Sequence, residues 1–107
     1  MAWVFLSIAG LLEIIFAVLL KLSSGFTKPV YVVGVGIAAG LSLFFLTRAM
    51  EHIPMGTAYA VWTGVGALGV VLIGIFFFDE STNWLRLLFI ALLVVSIGGL
   101  KFVSDGA

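Results

Sequence analysis

Glu13 sits inside an otherwise uncharged run that extends from Met1 to Leu20. Insertion scales put the cost of an acidic residue at the centre of an apolar span at about 2.5 to 3.5 kcal/mol, and intramembrane carboxylates are correspondingly rare and functional. Apolar surroundings disfavour the ionised form of a carboxyl group, so such a group either takes up a proton or demands a cation. Glu13 is therefore the candidate proton- and substrate-binding residue. The structural alternative is a carboxylate neutralised by a fixed partner, for which Lys101 is the nearest candidate.

The residues able to surround Glu13 follow from helical periodicity. Leu6, Ala9, Gly10, Phe16, Ala17 and Leu20 share its face, and the small members of that set allow close approach of a neighbouring helix in lipid. Gly36 and Gly40 stand in GxxxG spacing on a second apolar stretch, followed by Ser42, whose hydroxyl is either a donor to a carboxylate at similar depth or bonded to its own helix. A third stretch carries glycines at 56, 64, 66, 69 and 74 together with Tyr59, Trp62 and Thr63. Gly64, Gly66 and Gly69 imply close packing or a kink, with packing the favoured reading. Tyr59 and Trp62 are three apart and share a face; beside a carboxylate, aromatic rings hold a cation through ring-face attraction.

Other chemistry is excluded or unsupported. Without cysteine there is no disulfide or thiolate site. His52 alone makes no metal centre, and no nucleotide loop, zinc spacing or nucleophile elbow is present, so neither a cofactor nor an enzymatic reaction is expected. Arg48, Glu51, His52, Asp79, Glu80 and Arg86 lie in or beside loops, where a solvated or snorkelling role is the default.

The elements that must position these groups are transmembrane helices. Of the 107 residues 64% are hydrophobic and 9% charged, with a mean hydropathy of +1.36, against about 25% charged in soluble domains. At about 20 residues per span, the chain accommodates one domain, 1–107, of four helices near 3–20, 30–48, 56–78 and 85–102. The first differs from a signal peptide in lacking a basic leader and in carrying a mid-span carboxylate, so it is expected to be retained and to span. Five basic and five acidic residues balance, leaving no basic surface for nucleic acid. The connections, Lys21 to Pro29, Arg48 to Met55 and Asp79 to Trp84, are short, so consecutive helices run antiparallel. Arg48 and Lys101 then fall on one side, and Lys21, Lys28 and Arg86 on the other. A one-charge difference fixes orientation only weakly, and such a chain can insert both ways.

Several stretches together resemble the small multidrug resistance transporters, four-helix proteins of the bacterial inner membrane. They are Gly10, Glu13 and Lys21, then Gly25-Phe26-Thr27, the block from Pro54 through Gly56-Thr57-Ala58-Tyr59 and Trp62-Thr63-Gly64-Val65-Gly66 to Gly69, and finally Gly98-Gly99-Leu100-Lys101. Gly56-Thr57-Ala58-Tyr59, Trp62-Thr63-Gly64, Glu80 and the terminal Gly-Leu-Lys look like the guanidinium exporter branch. The resemblance implies an antiparallel, dual-topology dimer that exports a small cation in exchange for protons, with Glu13 contributed by both copies. It implies that Phe16, Ser42, Tyr59, Trp62 and Thr63 line the site and that Gly98 and Gly99 help the fourth helices pack between copies; Lys101, as a long cationic side chain near a helix end, either anchors that end by snorkelling or tunes the site. One departure stands out: Phe16 occupies a position where guanidinium exporters usually carry Trp, so no indole N–H reaches the carboxylate from there. Bulky quaternary ammonium or aromatic cations are the rival substrates, a paralogous partner in a heterodimer is the rival assembly, and a non-transporting accessory subunit is the rival of another class.

Overall fold

The computed structural model describes residues 1–106, and the side chains of residues 1–103. The chain forms four helices, α1 (Ala2–Leu22), α2 (Pro29–Ala49), α3 (Met55–Phe77) and α4 (Trp84–Gly106). All four contain apolar segments long enough to cross a bilayer, which makes this an all-α, multi-pass membrane protein. The helices begin within a residue of the positions read from charge spacing. They end within two residues of those positions, except α4, which runs four further.

Each boundary has a local cause. After α1, Ser23 is fully buried, its hydroxyl donates to the Leu20 carbonyl at 2.7 Å, and it accepts from the Phe26 amide at 3.2 Å. Ser24, Gly25 and Phe26 then take positive φ of 49°, 73° and 67°, reversing the chain before Pro29 opens α2 at a position where its missing N–H costs nothing. At the other reversal, the Phe78 and Glu80 amides both donate to the Gly74 carbonyl at 3.0 Å, across Asp79 at φ 53°. Asn83 starts α4 by accepting from the Leu85 amide at 2.9 Å.

The core sits at one end of the helices. Leu6 and Ala9 of α1, Leu46 and Ala49 of α2, Ile53 of the intervening turn, and Ala58 and Val61 of α3 form its buried cluster, flanked by Trp3, Phe5, Phe45, Trp62 and Leu100. The opposite end, where α1 and α3 finish, is looser. In backbone terms α1 packs most extensively on α2 and next on α3, and α4 approaches α3 alone. The result is a flattened array, with extents of 45 × 35 × 17 Å, about one and a half times the thickness of a single helix with its side chains. Outward faces are left apolar on α2 (Val33, Ile37, Leu41, Phe44) and on α4 (Phe89, Leu92, Val95, Phe102).

Small residues set the helix spacing, as close packing in lipid requires. A Cβ at Gly10 would lie 2.7 Å from Val65 Cγ1, and one at Gly64 would lie 2.8 Å from Ile97 Cδ1. A Cβ at Gly69 would collide with Ile14, whereas Gly36, Gly40, Gly56, Gly98 and Gly99 meet nothing within 4 Å.

Gly69→Ala should therefore destabilise the α1–α3 contact by about 1 to 3 kcal/mol through overpacking, read as reversible unfolding in mixed detergent micelles. Gly56→Ala, in open space, should remain within about 0.5 kcal/mol of the parent.

Candidate functional site

The α1–α3 seam carries Glu13. Its carboxylate lies directly against Gly66 of α3, where any Cβ would occupy the same space. Oε2 is shielded and has no hydrogen-bond partner among the described residues. A buried acceptor left without a donor is costly, so this oxygen calls for a proton or an N–H donor from outside the chain. Gly66 thus does two things: it lets α3 approach, and it makes room for the head of Glu13.

Ser42 ties three helices together beside this point. Fully buried, it donates to the Ala9 carbonyl at 2.7 Å and accepts from Trp62 Nε1 at 2.9 Å. By helical register the Ala9 carbonyl is also the acceptor of the Glu13 amide, so the link steadies the turn of α1 that carries the carboxylate. This corrects both sequence readings of Ser42. Its donor goes neither to Glu13 nor to its own helix, because the α1 backbone at Ala9 comes closer than the carboxylate does.

Trp62 is partly buried and Tyr59 is 54% exposed, with ring centroids 5.5 Å apart and planes tilted by 51°. With the indole N–H committed to Ser42, these residues offer ring faces. Trp62 and Gly66 are one helical turn apart, so the rings stand on the α3 face that meets Glu13. The Thr63 hydroxyl donates to the Tyr59 and Ala60 carbonyls at 2.9 and 3.1 Å, within α3 as is common for helical threonine. Phe16 is partly buried on the Glu13 face and brings no polar group.

Lys101 does not neutralise Glu13. Its ammonium stands 5.1 Å from the centroid of the Trp3 ring, and Trp3 is ten residues before Glu13, about 15 Å along the helix axis. The separation follows from topology, since the end of α4 lies level with the start of α1.

Among the glycines singled out for packing, Gly10, Gly64 and Gly66 stand at contacts within the chain, while Gly36, Gly40, Gly98 and Gly99 lie on open faces. Among the described residues no group of three His, Asp or Glu side chains could hold a metal ion. One feature escaped the sequence reading. Beyond Glu13, the seam opens into a cavity of about 70 Å³ lined by Ala17, Lys21, Ile73, Gly74, Phe78 and Glu80, among others. Lys21 caps it with its ammonium 4.9 Å from the Phe78 ring centroid, and Glu80 accepts from Arg86 at 2.7 Å. The available signal was the spacing of Glu13, Ala17 and Lys21, which puts all three on one face.

Against known proteins, a family model described as Small Multidrug Resistance protein matches residues 1–93. A protein named guanidinium exporter from Yersinia pseudotuberculosis is 46% identical over 104 residues, covering 97% of this chain and 100% of the relative. One of the same name from Proteus vulgaris is 47% identical over 104 residues, with coverage of 97% and 100%. A third, from Escherichia coli K12, is 48% identical over 101 residues, with coverage of 94% and 96%.

The three-helix link at Ser42 makes a definite prediction. Ser42→Ala leaves two partners without their bond, so it should cost about 1 to 3 kcal/mol. Trp62→Phe should cost much less in the Ser42→Ala background than in the parent, a non-additivity measured by a double-mutant unfolding cycle in detergent.

Proposed function

We propose that this chain, which belongs to the small multidrug resistance family, exports guanidinium and small guanidinyl cations across the bacterial inner membrane in exchange for protons. The observation that carries this reading is the Glu13 carboxylate, placed mid-span against Gly66 with a shielded oxygen that lacks a donor. A planar guanidinium supplies what that oxygen needs, in charge-assisted and potentially bidentate N–H···O bonds. The names of the relatives point the same way.

Coupling follows from exclusion. Glu13 holds either protons or one cation, and only loaded states exchange the open side. Ser42 and Trp62 fix the turn that presents the carboxylate, while the Tyr59 and Trp62 rings flank the cation and Phe16 shapes the floor of the site. No resident cofactor or metal takes part, and no covalent step is required.

A flat four-helix chain does not enclose a polar path alone. Two copies inserted in opposite directions give a binding region between inverted repeats near the midplane, with one Glu13 from each. The apolar outer faces of α2 and α4, with Gly36, Gly40, Gly98 and Gly99 in open space, are the surfaces available for that second copy. A paralogue of the same fold would fit them equally.

A second reading, export of bulky quaternary ammonium or aromatic cations, is favoured by the donor-free Phe16 ring and by the exposed face of Tyr59. The unpartnered carboxylate counts against a non-transporting accessory subunit, which would have no use for it.

Purified chain reconstituted alone in liposomes should give currents on addition of guanidinium or methylguanidinium, and Glu13→Gln should abolish both the currents and guanidinium binding. Proton-coupled flux that survives in Glu13→Gln would sink the mechanism. A response to tetrapropylammonium alone would select the second reading, and silence to every cation would point to a missing partner subunit or an accessory role.

A further inference from the structure

We propose that the cavity at the open end of the α1–α3 seam is an outer binding station for the transported cation, with Glu80, now paired with the Arg86 guanidinium, as its carboxylate. The inference rests on the transport reading and extends it to a second site. Glu13, Ala17 and Lys21 line one face of α1. Ala17 and Lys21 also line the cavity, so cavity and Glu13 lie on a single seam, with Lys21 about 12 Å along the axis from Glu13. The volume of about 70 Å³ is well above the roughly 10 to 15 Å³ that a single water requires, enough for an ion of a few heavy atoms.

The chemistry of Glu80 points to the ligand class. Its amide donates to the Gly74 carbonyl at 3.0 Å, and its carboxylate folds back over Gly74, where only a missing Cβ leaves room. It already holds a guanidinium, that of Arg86, and holds it incompletely. Arg86 Nη2 donates to Glu80 Oε1 at 2.7 Å while Nη1 donates to the Ser81 carbonyl at 2.7 Å, so the fork is divided between two acceptors. A free guanidinium can present two parallel N–H groups to both carboxylate oxygens, the stronger arrangement. Ion pairs as exposed as this one, at 29% and 41% for the two side chains, contribute little net stability, so the tethered occupant is readily displaced.

Lys21 at the rim, its ammonium on the Phe78 ring, adds a like charge that shortens the stay of a cation. A station on a transport path needs that balance, since binding must favour arrival yet permit departure. In a pair of inverted copies, one such mouth stands at each face of the membrane.

The alternative is a clasp that merely fastens the α3–α4 turn, and opposite shifts separate the two. In the full chain reconstituted in liposomes, with guanidinium-evoked current as readout, Glu80→Gln should raise the apparent KM about 3- to 10-fold, and Arg86→Gln should lower it about 2- to 5-fold. Glu80→Asp, which keeps the charge, should restore a KM near the parent value. The same exchanges at Glu51 and Arg48, an exposed pair at the opposite end of the helices, should stay within about twofold. Parallel shifts in Glu80→Gln and Arg86→Gln, or shifts of equal size at Glu51 and Arg48, would overturn the station while leaving the transport reading intact. A parent protein silent to guanidinium would overturn the transport reading, and the station with it.

Discussion

In hydrocarbon every polar group must find its partner within the protein, because no water is at hand to substitute. Glu13 violates that rule on one side: the seam that shields its carboxylate oxygen supplies no donor for it. Much of the rest of the structure can be understood from this point. Gly66 makes room for the carboxylate, and Gly10 and Gly69 let α3 come close enough to shield it. Ser42 spends both halves of its hydroxyl on holding the adjoining turn. In the exchange proposed above, a seam built this way is satisfied when a proton or cation arrives.

The two ends of the molecule divide the work. At the end where α1 begins and α2 finishes, a buried cluster from Leu6 to Val61 locks three helices together. Toward the other end the seam loosens into a mainly apolar cavity to which Lys21 and Glu80 add charged groups. The flatness of the array, 17 Å through its thin direction, leaves the outward faces of α2 and α4 for lipid or for another chain.

Most of the fold was legible in the sequence because membrane helices are written in charge spacing. Uncharged stretches between Lys28 and Arg48, and between His52 and Asp79, locate α2 and α3 almost to the residue. Glu13 was equally plain, since one carboxylate in an apolar span has few readings. Pairings across helices were not legible, because they depend on how the helices cross. Nothing in the sequence says that Gly66, rather than Gly64 or Gly69, meets the carboxylate, or that Ser42 reaches the Ala9 carbonyl instead of Glu13. Thr63 sits beside Trp62 in sequence, yet its hydroxyl is taken by its own helix. Lys101 was the nearest candidate counter-ion by type, but chain topology sets it level with Trp3. Glu80 and Arg86 were discounted as loop charges because the sequence alone does not show a loop folding back over Gly74.

In the proposed exchange, protons and cation compete for one carboxylate. Its most direct test is the number of protons released when guanidinium binds to the purified protein, obtained by calorimetric titration in buffers of differing ionisation enthalpy across a range of pH. Competition predicts net proton release that grows as pH falls, together with a guanidinium affinity that weakens by up to about tenfold per pH unit in the acid limit for each proton displaced. Binding that releases no proton at any pH, with an affinity independent of pH, would contradict the account.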